Sequence, residues 1–208
     1  MLMALTMLVP AQIVPLFVGY ANVSILLPAA IIFAMLLSLD RAQLQRERLI
    51  LIALMCVFAV LQARTAAYMI LGLFTGYAVF VMLTGGFALL IKKFLHIGCF
   101  ALLMTLPLFA TFLKRALTYD ISTAYSAYQL GMSFAERLIA HAEYLGLVPY
   151  AIFLSGAIIA LRNKKIFPQA AFLLTWAVVS VMLICRVQLM DRQHFYTMIL
   201  PFAFLIAL

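Results

Sequence analysis

Charged residues are scarce in this chain, and acidic residues are the scarcest among them. Lys, Arg, Asp and Glu make up 10% of the 208 residues, with six Asp and Glu against 14 Lys and Arg. Soluble globular domains carry about 25% charged residues, whereas 68% of this chain is hydrophobic. The composition excludes an ordinary soluble domain and predicts an integral membrane protein.

Motifs for metal, nucleotide or nucleic-acid chemistry are also missing from the sequence. The three cysteines, Cys56, Cys99 and Cys185, are odd in number and lack metal-ligand spacing, which argues against a zinc site or a disulfide framework. The sequence has no Ser-His-Asp spacing, phosphate-cradling glycine loop or dinucleotide fingerprint. The net charge of +8 comes from short clusters between apolar runs. Such clusters orient membrane proteins and contact anionic membrane lipid, so we predict no nucleic-acid partner, no metal and no certain cofactor.

Long apolar runs fill most of the chain. They are continuous rather than alternating, which favours helices over barrel strands because backbone in lipid must satisfy its own hydrogen bonds. We therefore predict an all-α fold, a polytopic transmembrane bundle of about eight spans that forms a single domain over 1–208. No basic segment precedes the first run, so we expect a retained span and no cleavable signal peptide. The predicted spans are 2–18, 22–39, 49–63, 66–91, 94–113, 145–161, 167–185 and 195–208.

The cations distinguish two sets of loops. Eight of them lie in the 15 positions of 40–48, 92–93 and 162–165. The other six are spread over 47 positions in the alternate loops. Because Lys and Arg accumulate in cytoplasmic loops, we predict that the first set is cytoplasmic. The alternate loops, predicted to face outward, are 19–21, 62–65, 114–144 and 186–194.

The long outer loop contains a predicted amphipathic helix. Ser133 and Glu136 have capping-box spacing. Apolar residues follow at helical spacing, with polar residues on the other face. We expect this helix to lie along the outer membrane interface. The predicted apolar face is Ala135, Leu138, Ile139, Ala142 and Leu145, and the predicted polar face is Glu136, Arg137, His141 and Tyr144.

The outer loops hold the candidate binding residues. Guanidinium groups pair bidentately with phosphate oxygens, and ionisable groups within a membrane are costly. Several cations on one face therefore suit an anionic head group. Snorkelling, interface anchoring or, for Asp191 and Arg192, a local ion pair explains them equally well. The candidates are Arg64, Lys114, Arg115, Arg186 and Arg192, with His194, whose alternative role is structural, and Tyr196 beside them.

One late stretch resembles a known enzyme family. Arg192-Gln-His-Phe-Tyr196-Thr-Met-Ile-Leu-Pro201 is similar to the motif in which Arg and Tyr precede Leu-Pro in GT-C type glycosyltransferases. These membrane enzymes include protein O-mannosyltransferases and the lipid A aminoarabinose transferase. Leu61-Gln-Ala-Arg64-Thr resembles the Arg-tipped turn between the family's paired short helices. Gly19-Tyr20-Ala-Asn22 resembles the family's Tyr-x-Asp site, with Asn22 in place of Asp.

The resemblance implies transfer of a sugar from a polyprenyl-phosphate donor to an acceptor on the outer face. We expect the membrane to be a bacterial plasma membrane and the reaction to serve the cell envelope, although an endoplasmic-reticulum lumen would give the same sequence pattern. The family's catalytic acid follows its first span, but no acidic residue precedes Asp40 here. We therefore expect a partial chain that lacks the family's first span and its catalytic carboxylate. We assign no catalytic residue. The cations above, His194 and Tyr196 would contact the donor. A transporter or flippase of a lipid-linked precursor and a non-catalytic membrane subunit are the alternatives.

Overall fold

The computed structural model describes residues 26–40, 43–62, 65–118, 132–187 and 196–207. Within these ranges every regular element is an α-helix, which confirms the predicted all-α class. The helices are α1 (Leu26–Leu37), α2 (Arg46–Gln62), α3 (Thr65–Thr84), α4 (Phe87–Thr118), α5 (Phe134–Leu145), α6 (Leu147–Arg162), α7 (Phe167–Val187) and α8 (Tyr196–Ala207).

The turn between the fourth and fifth predicted spans lies elsewhere than predicted. Lys92 and Lys93 are inside the continuous helix α4, and the break comes earlier, at Gly85 and Gly86. Both glycines have positive φ, 90° and 103°, which glycine adopts without steric penalty. The turn was predicted at Lys92 and Lys93 from their charge, and this was wrong because the backbone turn depends on the positive φ angles of two glycines. The predicted span 2–18 lies outside the described residues.

Three helical segments of the described chain are long and apolar enough to cross a membrane, by length and composition. They are Ala66–Thr84, Phe87–Leu106 and Phe167–Arg186. Each has about the 20 residues that a hydrocarbon core of about 30 Å requires. These segments lie in α3, α4 and α7, and they support a membrane-embedded protein.

Helices α3 and α7 pack closely through two glycines one helical turn apart. A Cβ added to Gly72 would lie 2.2 Å from Ser180 Oγ and 2.7 Å from the carbonyl oxygen of Trp176. A Cβ added to Gly76 would lie 2.5 Å from the carbonyl oxygen of Phe172. Small residues at this spacing let helix backbones approach in a membrane. Because later residues of α3 meet earlier residues of α7, the two helices run antiparallel.

Aromatic rings fill the space around this helix pair. The ring of Phe33 in α1 lies 4.8 Å from that of Phe204 in α8 and 5.6 Å from that of Trp176 in α7. On the other side, Tyr77 of α3 lies 6.3 Å from Phe94 of α4. Aromatic pairs at these distances stabilise a core beyond their buried area. These ring contacts join five helices around α3 and α7, and buried residues of α2 and α6 belong to the same core.

Cations from two other helices bind the chain just after α1. Arg48 of α2 donates from Nη1 to the carbonyl oxygen of Ser38, the residue that follows the helix, at 2.8 Å. Lys93 of α4, which is only 3% exposed, donates from Nζ to the carbonyl oxygen of Asp40 in the loop. Positive charge near the C-terminal end of α1 is favourable because of the helix dipole. The two bonds fix the starts of α2 and α4 beside the same loop.

The three cation-rich segments that were grouped from the sequence lie at one end of the bundle. Since α3 and α7 are antiparallel, the turn at 85–86 lies at the same end as the turn at 163–166. Lys93 joins the loop after α1 to that end. We call this the basic end, and its exposed cations are Arg46, Arg48, Lys92, Arg162, Lys164 and Lys165. Helices α2, α4 and α7 finish, and α8 starts, at the opposite end.

Candidate functional site

Helix α5, at the opposite end, begins with the predicted capping box. The backbone N–H of Glu136 donates to Ser133 Oγ at 3.3 Å, and the backbone N–H of Ser133 donates to Glu136 Oε2 at 2.6 Å. These bonds satisfy two amides that the first helical turn leaves without partners. Hydrogen bonds from Ser133 also hold the pKa of Glu136 below its usual range, because they stabilise the ionised carboxylate.

Arg137 ties the start of α5 to the end of α7. Its Nη1 donates to the carbonyl oxygens of Cys185 at 3.1 Å and Arg186 at 3.2 Å. Its Nε and Nη2 donate to the carbonyl oxygen of Met132 at 3.1 Å and 2.9 Å. Arg137 therefore caps the C-terminal carbonyls of α7 and holds α5 across that end.

The prediction for the polar face of α5 is wrong for one residue. His141 is 1% exposed, and its ring lies 6.4 Å from that of Tyr150 in α6. Ile139, on the predicted apolar face, is 59% exposed. Desolvation by burial lowers the pKa of His141 from 6.5 to about 4. His141 lies inward because Arg137, one turn earlier in α5, binds the carbonyls of α7 and holds this side of the helix against the bundle.

Of the predicted binding residues, Arg186 is the one whose side chain is described. It is exposed and lies in the last turn of α7. Lys114 and Arg115 lie in the C-terminal part of α4, and Tyr196 is the first residue of α8, with only their backbone described. The structure thus brings the helix ends that carry these residues to the same end of the bundle. Arg64, Arg192 and His194 lie outside the described residues.

Arg137 is the residue of this region that the sequence did not single out. Helical spacing predicted that Arg137 lies on the polar face of α5, but it did not predict which groups Arg137 binds. Its position directly after the capping-box glutamate was the available signal, because an arginine there can reach beyond its own helix. Arg137 bonds two of the last four carbonyls of α7, and the side chain of Arg186 beside them is exposed at the surface. This end can therefore present a guanidinium to an anionic ligand.

Metal chemistry finds no support in the part of the chain that the structure describes, where no group of three or more His, Cys, Asp or Glu residues could hold a metal ion. In comparisons with family models, curated proteins and solved structures, no significant match to this chain was found. Function is therefore argued from the residues of the site and from the sequence resemblance.

Proposed function

We propose that this chain is a portion of a membrane glycosyltransferase that binds a polyprenyl-phosphate-linked sugar and transfers the sugar on the non-cytoplasmic face. The observation that carries the proposal is the exposed Arg186 at the end of α7. The helix segments bearing Lys114, Arg115 and Tyr196 reach the same end. The resemblance of 192–201 to the GT-C motif adds the substrate class, and the catalytic carboxylate would come from outside this sequence.

The proposed membrane arrangement keeps about eight spans in a bacterial plasma membrane. The basic end faces the cytoplasm, in keeping with the positive-inside rule. The opposite end then faces outward, where α5 lies along the interface. A bend of 100° separates 134–143 from 148–162, so α5 lies across the direction of α6. Exposed Phe134, Ile139 and Val148 would enter the lipid surface beside it.

A phosphate ligand suits Arg186 for a physical reason. An arginine in the last turn of a helix commonly bonds the free carbonyls of its own helix. Here Arg137 already donates to the carbonyl oxygens of Cys185 and Arg186. The guanidinium of Arg186 is exposed at this end and can donate to a ligand, and paired N–H···O bonds to phosphate are among the stronger charge-assisted contacts.

The test compares Arg186→Gln with Arg162→Gln in the purified full chain. Both arginines are exposed and lie in the last turn of their helices, at opposite ends of the bundle. With undecaprenyl phosphate as the probe, we expect binding to weaken about tenfold or more in Arg186→Gln, since a hydrogen bond to a charged group contributes about 1.5–3 kcal/mol, or about 10- to 150-fold in affinity. Arg162→Gln should bind like the parent. Equal affinities in all three proteins would overturn the proposal.

A transporter of a lipid-linked precursor is the second candidate, and the bent helix pair α5–α6 favours it. Broken helices near a substrate site are common in transporters. In vesicles containing the protein and a fluorescent lipid-linked sugar, a transporter would make the label accessible from the other side without transferring the sugar. The transferase would instead transfer the labelled sugar to an acceptor, and only when a segment that supplies the catalytic carboxylate is also present.

A further inference from the structure

Helices α2 and α4 form a second candidate binding surface, at the basic end. They pack side by side and both begin at that end. Arg48 and Lys93 bond to the same loop after α1, so the two helix starts lie at a similar depth in the bundle. This surface does not include the residues proposed to bind a sugar donor.

Positive charge dominates the top of this surface. Arg48 uses Nη1 for the carbonyl of Ser38 and for Gln45 Oε1 at 3.2 Å, and a guanidinium has further N–H donors. Lys92 is exposed beside the buried Lys93. Four described cations and two described acidic residues give this region a net charge of +2, which favours an anionic ligand. The cations are Arg46, Arg48, Lys92 and Lys93, and the acidic residues are Asp40 and Glu47.

Below the cations, both helices expose apolar side chains along several turns. Leu95 on α4 is 62% exposed, and Leu54 on α2 is 44% exposed. An apolar surface of this length would be a liability in water, but Phe87–Leu106 is a candidate membrane span. Acyl chains are therefore suitable neighbours. The exposed apolar residues are Leu51, Leu54 and Phe58 on α2 and Leu95, Leu102, Leu103 and Leu106 on α4.

We propose that this surface binds an anionic phospholipid of the adjacent leaflet. Lys92, Arg46 and Arg48 contact the head-group phosphate, and the acyl chains lie along the exposed faces of α2 and α4. Basic residues above a helix–helix surface are a recognised arrangement for acidic lipid head groups. The apolar face continues directly below the cations. A phospholipid would therefore contact both the cations and the apolar residues, whereas inorganic phosphate would contact the cations alone. The proposal stands independently of the glycosyltransferase activity.

The first test is a lipid titration of the purified full chain, followed by native mass spectrometry. We expect dioleoylphosphatidylglycerol to bind more tightly than dioleoylphosphatidylcholine. Lys92→Gln should weaken phosphatidylglycerol binding about fivefold, the effect of one cation near an anionic lipid surface. Lys164→Gln, which removes one exposed cation from the turn before α7, is the matched control and should leave affinity within about twofold.

Two results would overturn the proposal. One is equal weakening by Lys92→Gln and Lys164→Gln, which would indicate general attraction to the basic end. The other is displacement of phosphatidylglycerol by millimolar inorganic phosphate, which would mean that the acyl chains contribute nothing.

A second measurement locates the acyl chains without any substitution. Phosphatidylglycerol with a diazirine on one acyl chain should crosslink to peptides of α2 and α4 that contain Leu54 and Leu95. It should label the exposed face of α6, around Ile158 and Ile159, at least threefold less, which is the ratio expected for a preferred site about 0.7 kcal/mol more favourable. Equal labelling of α6 and α4 would contradict a defined site.

Discussion

The guanidinium of Arg137 donates to the carbonyl oxygen of Cys185 at 3.1 Å, although the two residues are 48 positions apart in the chain. The same nitrogen donates to the carbonyl oxygen of Arg186. One side chain thus caps α7 and determines which face of α5 packs against the bundle. The exposed side chain of Arg186 lies beside this contact, at the end of α7 where the donor site is proposed.

Arg137→Gln should release α5 from the end of α7. Loss of charge-assisted bonds to carbonyl oxygens destabilises by about 1.5–3 kcal/mol. Hydrogen exchange should therefore speed up at the amides of α5 and of the last turn of α7, while α3 stays protected. Arg137→Lys should recover part of the protection, because an ammonium can reach only some of the three carbonyls. Unchanged exchange in Arg137→Gln would contradict the capping role.

Acid should loosen the docking of α5 through His141. Its pKa in the folded protein is about 4, below the ordinary 6.5, so the unfolded state binds the proton more readily between these values. Stability of the docked helix should be full above pH 6.5 and should fall as the pH decreases towards 4. The ring of Tyr150 on α6 lies 6.4 Å from that of His141, and desolvation by burial is the cause of the lowered pKa.

The measurement is hydrogen exchange of α5 amides at pH 7, 6 and 5, corrected for intrinsic rates. His141→Gln should flatten the pH dependence, whereas His96→Gln, on α4, should leave it in place. A pH dependence that persists in His141→Gln would assign the effect to another group.

Gly72 and Gly98 should respond in opposite directions to alanine. Both are helical, but the new Cβ at Gly72 would lie 2.2 Å from Ser180 Oγ, whereas nothing lies within 4 Å of a Cβ at Gly98. Overpacking destabilises by about 1–3 kcal/mol, and an accommodated Gly→Ala in a helix stabilises by about 0.5–1 kcal/mol. Thermal unfolding in one detergent should therefore give a lower midpoint for Gly72→Ala and an equal or higher one for Gly98→Ala. A parent-like midpoint for Gly72→Ala would mean that α3 and α7 are less closely packed.

Ser133→Ala should fray the first turn of α5. The loss of a serine N-cap destabilises a helix by about 1 kcal/mol, because the bond from the Glu136 N–H to Ser133 Oγ is lost, whereas the bond from the backbone N–H of residue 133 to Glu136 Oε2 remains possible. Exchange at the amides of 134–137 should rise about fivefold. Ser155→Ala, a change at an exposed position inside α6, is the control and should have little effect. Equal exchange rates in the two variants would mean that the Ser133 cap does not stabilise the first turn of α5.

Because of the lowered pKa of Glu136, the stabilisation of α5 by the cap should also depend on pH. Because hydrogen bonds from Ser133 lower this pKa in the folded protein, the cap stabilises α5 above the ordinary titration range of Glu. The stabilisation should be lost as the pH falls through the lowered pKa. Circular dichroism of a peptide covering 132–146 should show helix content rising with pH in the parent peptide and a weaker rise with Ser133→Ala.

The sequence predicted the features that depend on neighbouring residues. Continuous apolar runs gave the helical class and most helix limits, and the spacing of Ser133 and Glu136 gave the cap of α5. Cation clustering grouped the segments that the structure places at the basic end. The turn between α3 and α4 was misplaced because Lys92 and Lys93 looked like a loop, whereas Gly85 and Gly86 supply the positive φ angles. The donor site stays a prediction, since Arg64, Arg192 and His194 lie outside the described residues.

Hydropathy and charge by themselves determined that this chain is helical, apolar enough for a membrane, and basic at one end. Only the tertiary structure decided the roles of the polar residues within it. Lys93 points inward and donates to the carbonyl of Asp40, and Arg137 points inward and donates to the end of α7. Local periodicity cannot predict such contacts, because the partners, a loop carbonyl and a helix end, are far away in the chain and meet the side chain only after the helices have packed.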